Sequence, residues 1–111
     1  MSRYTLRITI QEDESEIRVT LEGRIAGPWV TEVSRAWIEI APRLSGKKLS
    51  IDLRDVTYSD VAGKRVLTEI FALANNPLLV TSTPWTQHLA DEIRTNNFDR
   101  INQEALLGIQ A

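Results

Sequence analysis

The chain has 111 residues, no cysteine and a formal net charge of −2. That length suits one hydrophobic core able to fold without staples, and the lack of cysteine excludes disulfide frameworks, cysteine-ligated zinc and thiol catalysis. Basic and acidic residues are interspersed, so no block would neutralise a row of phosphates, and no apolar run approaches the ~20 residues that span a bilayer.

Tyr4, Leu6, Ile8 and Ile10 alternate with polar residues, the period-two pattern of a half-buried strand. The polar stretch 11–15 suits a turn, and Ile17, Val19 and Leu21 alternate again, so the two runs predict an antiparallel hairpin. After Gly27-Pro28 the period changes. Trp29, Val33, Trp37, Ile40 and Leu44 recur at three- and four-residue steps, which predicts an amphipathic helix ended or kinked by Pro42. Leu49, Ile51 and Leu53 mark a third strand, with Ser50, Asp52 and Arg54 on its other face.

Residues 55–62 read as a connection, followed by a helix over 63–74 with Val66, Leu67, Ile70 and Phe71 on its buried side. Asn75-Asn76-Pro77 stops that helix, because proline disfavours helical geometry in the residue before it. Leu78 to Val80 makes a short fourth strand. Ser82 or Thr83 caps a third helix entered at Pro84, with Leu89 and Ile93 inward. Residues 99–111 predict one more helix or a tail.

The later strand–helix alternation calls for parallel pairing with right-handed crossovers. A parallel strand covered on both faces reads as a continuous apolar run, whereas 49–53 alternates. Arg7, Arg18, Thr20, Asp52 and Arg54 are therefore expected to face water, with helices on the other side. The expected architecture is a single two-layer α/β domain over 1–111. It has a mixed four- to five-stranded sheet and three to four helices on one face.

The stretch from Leu49 to Gly63 resembles the central signature of the STAS family, named for sulphate transporters and anti-sigma factor antagonists. Asp52, Leu53, Val56, Thr57, Tyr58, Asp60, Gly63 and Leu67 fall in step with its pattern. Leu21-Glu22-Gly23-Arg24-Ile25 and Ser82-Thr83-Pro84 look like its flanking segments, so the resemblance spans about 4–95. It implies a non-enzymatic, cytoplasmic interaction module that needs no cofactor or metal. The implied partner is an anti-sigma factor or a kinase-like ATPase domain. The alternatives are an accessory subunit of a membrane transporter or a small-ligand or nucleotide-binding domain, and a homo-oligomer is compatible with any of these.

The implied docking set is Tyr58, Ser59, Asp60, Val61, Ala62, Gly63, Lys64 and Arg65. In the family's phospho-regulated members a serine occupies the position of Ala62, and alanine has no oxygen to accept a phosphate. Ser59 and Thr57 are the nearest hydroxyls to which a switch could have moved. Asp60 and Gly63 also read as a helix cap and a turn. Lys64 and Arg65 put positive charge in a first helical turn, which the helix dipole disfavours by about 0.3–1 kcal/mol each. Asp52, Asp55 and Asp60 form the one carboxylate cluster, without a phosphate-binding glycine loop beside it. His88 is the single histidine, and Trp85 is the aromatic expected to be exposed.

Overall fold

A computed structural model describes residues 6–95. The strands are β1 (Leu6–Glu12), β2 (Glu16–Ile25), β3 (Lys48–Ser59) and β4 (Leu78–Val80). The helices are α1 (Trp29–Ile40), α2 (Val61–Leu73) and α3 over 84–95. The sheet order is β1-β2-β3-β4, with β1 antiparallel to β2 and the remaining pairs parallel. This is the mixed α/β arrangement expected from the sequence, with four strands and three helices. The predicted helix or tail over 99–111 lies outside the described residues.

The hairpin turn is fixed by Asp13, whose Oδ1 accepts from the backbone N–H of Ser15 and of Glu16, both at 2.8 Å. Ile17, Val19 and Leu21 then point inward and meet Leu49, Ile51 and Leu53 of β3. Val33 and Ile40 from α1, Leu67, Ile70 and Phe71 from α2, and Leu89 and Ile93 from α3 close the same core. Pro42 does end the first helix: α1 stops at Ile40 and a single 3-10 turn, Ala41–Arg43, follows it. Trp29 and Trp37 pack against the core while remaining partly exposed.

The third strand is much longer than its alternation suggests. Twice, β3 carries one more residue than β2, between Thr20 and Glu22 and between Gly23 and Arg24. Each extra residue reverses which face the following side chains take. The inward set therefore runs Leu49, Ile51, Leu53 and then Val56 and Ser59. A period-two reading loses the strand at the first bulge, which is why 55–62 reads as a connection. Gly23 supplies the backbone at the second irregularity, with φ of 111°, a region that favours glycine.

The outer face also differs from expectation. Asp52 lies on that face but is only 4 % exposed. Arg54, two residues along the same face, folds back on it with contacts at 3.0, 3.2 and 2.8 Å and donates its backbone N–H to Asp52 Oδ1 at 3.0 Å. The guanidinium holds the Asp52 carboxyl below its ordinary value, and this outweighs the opposing effect of burial. Ser50, in register between Arg18 and Leu78, is buried as well.

The helix ends follow local chemistry. At the end of α2, Asn75 and Asn76 both adopt left-handed backbone (φ 60° and 58°), and Asn76 N donates to Phe71 O at 3.3 Å. At the start of α3, Thr83 Oγ1 accepts from Thr86 N at 3.1 Å, while Thr86 Oγ1 accepts from Ser82 N and Thr83 N at 3.0 and 2.9 Å. Thr83 is thus the cap, and the Ser82 hydroxyl turns instead to the Arg54 carbonyl. Among the described residues no helix is long and apolar enough to cross a membrane.

Candidate functional site at the junction of β3 and α2

Parallel strands bring the ends of β2 and β3 together, and Ile25 stands in register with Ser59. Asp60 follows directly, in extended backbone (φ −78°, ψ 177°), as the residue that caps α2. Its N–H donates to Ile25 O at 3.1 Å, its Oδ1 accepts from Gly63 N at 2.7 Å, and its Oδ2 accepts from Gly27 N at 3.2 Å. One side chain therefore caps the helix and ties down the loop after β2, which places the Gly27 loop beside the start of α2. A carboxylate is well suited here, since it accepts two N–H groups and lies at the positive end of the helix.

Gly63 is needed for space. A methyl group in its place would lie 2.6 Å from Ser59 Oγ, 2.7 Å from the Ile25 carbonyl oxygen and 2.8 Å from Ile25 Cγ2. Contacts that short do not occur between real atoms, so the first turn of α2 lies on β2 only because this residue has no side chain. Ser59 is likewise buried at 5 % exposure, and its hydroxyl donates to the Asp60 carbonyl at 3.2 Å.

These buried residues support an exposed surface. Tyr58 is 41 % and Val61 69 % exposed, and Ala62 and Arg65 also face solvent. Arg24, paired with Tyr58 across the strands, stacks its guanidinium over the Tyr58 ring at 4.4 Å from the centroid. Stacking of this kind restrains an exposed aromatic and keeps a cation beside it. Lys64 is directed elsewhere: its Nζ lies 3.1 Å from Glu92 Oε1 on α3, and His88 Nε2 lies 3.2 Å from the same oxygen. The acid of α3 offsets the unfavourable placement of Lys64 in the first turn of α2.

Of the eight residues implied by the sequence, Tyr58, Val61, Ala62 and Arg65 form the solvent-facing part. Ser59, Asp60 and Gly63 position it, and Lys64 joins α2 to α3. Sequence reasoning missed Arg24, Glu92 and His88. Arg24 reaches Tyr58 only through a register containing two bulges, a relation that no local spacing encodes. Glu92 and His88 at i,i+4 were visible as a helix pair, but nothing in the sequence points them at Lys64.

The three aspartates are separated by the fold. Asp52 pairs with Arg54 on the outer sheet face, Asp55 is exposed, and Asp60 is occupied as a cap. Among the described residues no group of three or more histidine or acidic side chains could hold a metal ion.

No protein-family profile matches the chain, and no curated protein matches it. Solved structures do. One, described as the crystal structure analysis of Mglu, superposes with a TM-score of 0.54 at 19 % identity over 68 % of this chain. The match covers 19 % of that longer chain. Another is an antisigma-factor antagonist, a STAS domain from Rhodobacter sphaeroides, with a TM-score of 0.51 at 13 % identity. It covers 72 % of this chain and 86 % of that domain. The fold is therefore that of a STAS domain.

Proposed function

We propose that this chain is a non-catalytic docking module of the anti-sigma factor antagonist kind. It engages an anti-sigma factor or a related kinase-like ATPase domain through the start of α2. The observation that carries the reading is the contrast within one short segment. Asp60 and Gly63 are locked into the scaffold, while Tyr58, Val61, Ala62 and Arg65 project from it with exposed apolar and cationic groups. A restrained, partly apolar surface loses little conformational entropy on binding, and aromatic and arginine side chains dominate contact energies.

Docking of this module proceeds without phosphorylation at position 62. Ala62 offers no hydroxyl, and the neighbouring Ser59 is buried with its oxygen already engaged. Thr57 is the exposed hydroxyl of the segment. Binding is constitutive or is regulated away from this loop.

The test begins with affinity purification of the partner from native cells and measures its affinity for the chain and for Ala62→Asp. A carboxylate at this position should weaken binding at least about tenfold, or about 1.4 kcal/mol, by desolvation and like-charge repulsion. Unchanged affinity with an intact fold would remove the loop from the interface. Stoichiometric phosphate on Thr57 or Ser59 after incubation with the partner and ATP would show that the switch had moved rather than vanished.

A further inference from the structure

Among the described residues β1 pairs only with β2, so its other edge presents unpaired backbone N–H and C=O groups. Natural sheets usually blunt such an edge with proline, a bulge or a very short strand. The opposite edge, β4, is three residues long. By contrast β1 runs seven residues, LRITIQE, with no proline and unbroken register. Its inner side is incompletely covered: Ile8 and Ile10 are half-buried beside Trp29 and Ala36. Together they floor a groove of about 300 Å³ between β1 and α1, rimmed by Glu32, Arg35 and Glu39.

We propose that this edge is a self-association surface, occupied by β1 and α1 of a second copy across a twofold axis. Three features of the groove point to that occupant. First, antiparallel addition of a second β1 satisfies the free edge of both copies at once, as a twofold interface requires. Second, α1 packs against both β1 and β2. With strands about 4.8 Å apart, its twofold mate then lies roughly 10 Å away, close to the spacing of packed helices. The two helices roof the apolar floor without a gap.

Third, the rim is self-complementary. Along α1 the charges run acid, base, acid at Glu32, Arg35 and Glu39. The helix runs beside β1 in the same direction, with Trp29 near Leu6 at one end and Arg43 bonded to Glu12 at the other. A twofold axis through the middle of β1 sets the helices antiparallel and brings Arg35 of each copy against Glu32 of the other. Within one copy these two side chains pair at 3.0 Å but remain 72 % and 37 % exposed, so both can make the second contact. The surface shares no residue with the junction of β3 and α2, and the inference does not rest on the docking function.

The experiment is sedimentation velocity on the full chain over a micromolar to near-millimolar range. The expected result is a concentration-dependent dimer. Arg35→Glu and Glu32→Arg should each raise its dissociation constant by about tenfold or more, since each sets like charges together. An equimolar mixture of the two variants should recover the dimer, because every contact across the axis then pairs an acid with a base. Both positions are exposed, and unchanged circular dichroism and melting would show that the monomers still fold. A monomer throughout the range, an Arg35→Glu variant that associates like the parent, or a mixture no tighter than either variant alone would each overturn the proposal.

Discussion

Gly63→Ala should destabilise the domain even though alanine is the better helix former. Relative to glycine, alanine within a helix gains about 0.5–1 kcal/mol from backbone entropy. Against this stand three contacts below 3 Å, to Ser59 Oγ, Ile25 O and Ile25 Cγ2. Neither residue can yield cheaply. Ile25 is 0 % exposed, its carbonyl accepts from Asp60 N, and the Ser59 hydroxyl is held by the Asp60 carbonyl. Overpacking at a fixed site costs about 1–3 kcal/mol, so the net loss is about 1–2 kcal/mol. For a domain of this size each kcal/mol lowers the melting temperature by about 4–8 °C, which calorimetry or a circular dichroism melt resolves readily. The first turn of α2 must also move away from β2, and the docking surface with it, so partner binding should weaken in parallel. A Gly63→Ala variant as stable as the parent, or more so, would refute the argument that close approach rather than turn geometry dictates glycine here.

Asp60→Ala removes the acceptor for Gly63 N and Gly27 N together, and denaturant titration should show a loss of about 1–2 kcal/mol. Asp60→Asn keeps a capping oxygen and should fall much closer to the parent; equal losses for the two would mean that charge rather than the cap matters. Asp52 has its carboxyl depressed chiefly by the Arg54 side chain, so the stability it contributes is complete above the ordinary value of 3.8 and is lost as pH falls through the lower folded value. Glu12, depressed mainly by Lys47, and Asp13, depressed mainly by the Ser15 backbone, act in the same direction. Acid titration of the unfolding transition should therefore steepen below about pH 4, and Asp52→Asn should flatten part of that slope; a variant with the parent's pH profile would show that the Arg54 pair does not stabilise the fold.

Where local periodicity and burial coincide, the structure was legible in the sequence. The hairpin, the α1 stripe of Trp29, Val33, Trp37 and Ile40, the stop at Asn75-Asn76-Pro77 and the cap at Thr83 each depend on residues within a few positions of one another. Legibility failed at β3, because two bulges shift the phase of alternation and make the end of the strand resemble a loop. It failed also at Asp52, since alternation gives the face a residue occupies and not whether a neighbour such as Arg54 folds over it. Much of the candidate site was visible from Tyr58 to Arg65, but its division into supporting and exposed residues was not. Gly63 suits either a turn or a close contact by sequence, and only the position of Ile25, thirty-eight residues earlier, decides between them.

The sequence by itself determined the order of elements, the pairing of strands and the absence of a hydroxyl at position 62, since each follows from local patterning or from side-chain chemistry alone. Tertiary structure decided which groups share a neighbourhood. Arg24 stacks on Tyr58, Glu92 draws Lys64 away from the front of α2, and Asp60 joins two loops, all across separations that chain periodicity does not encode. These contacts depend on register and on packing between layers, and both are set by the whole core rather than by any segment of it.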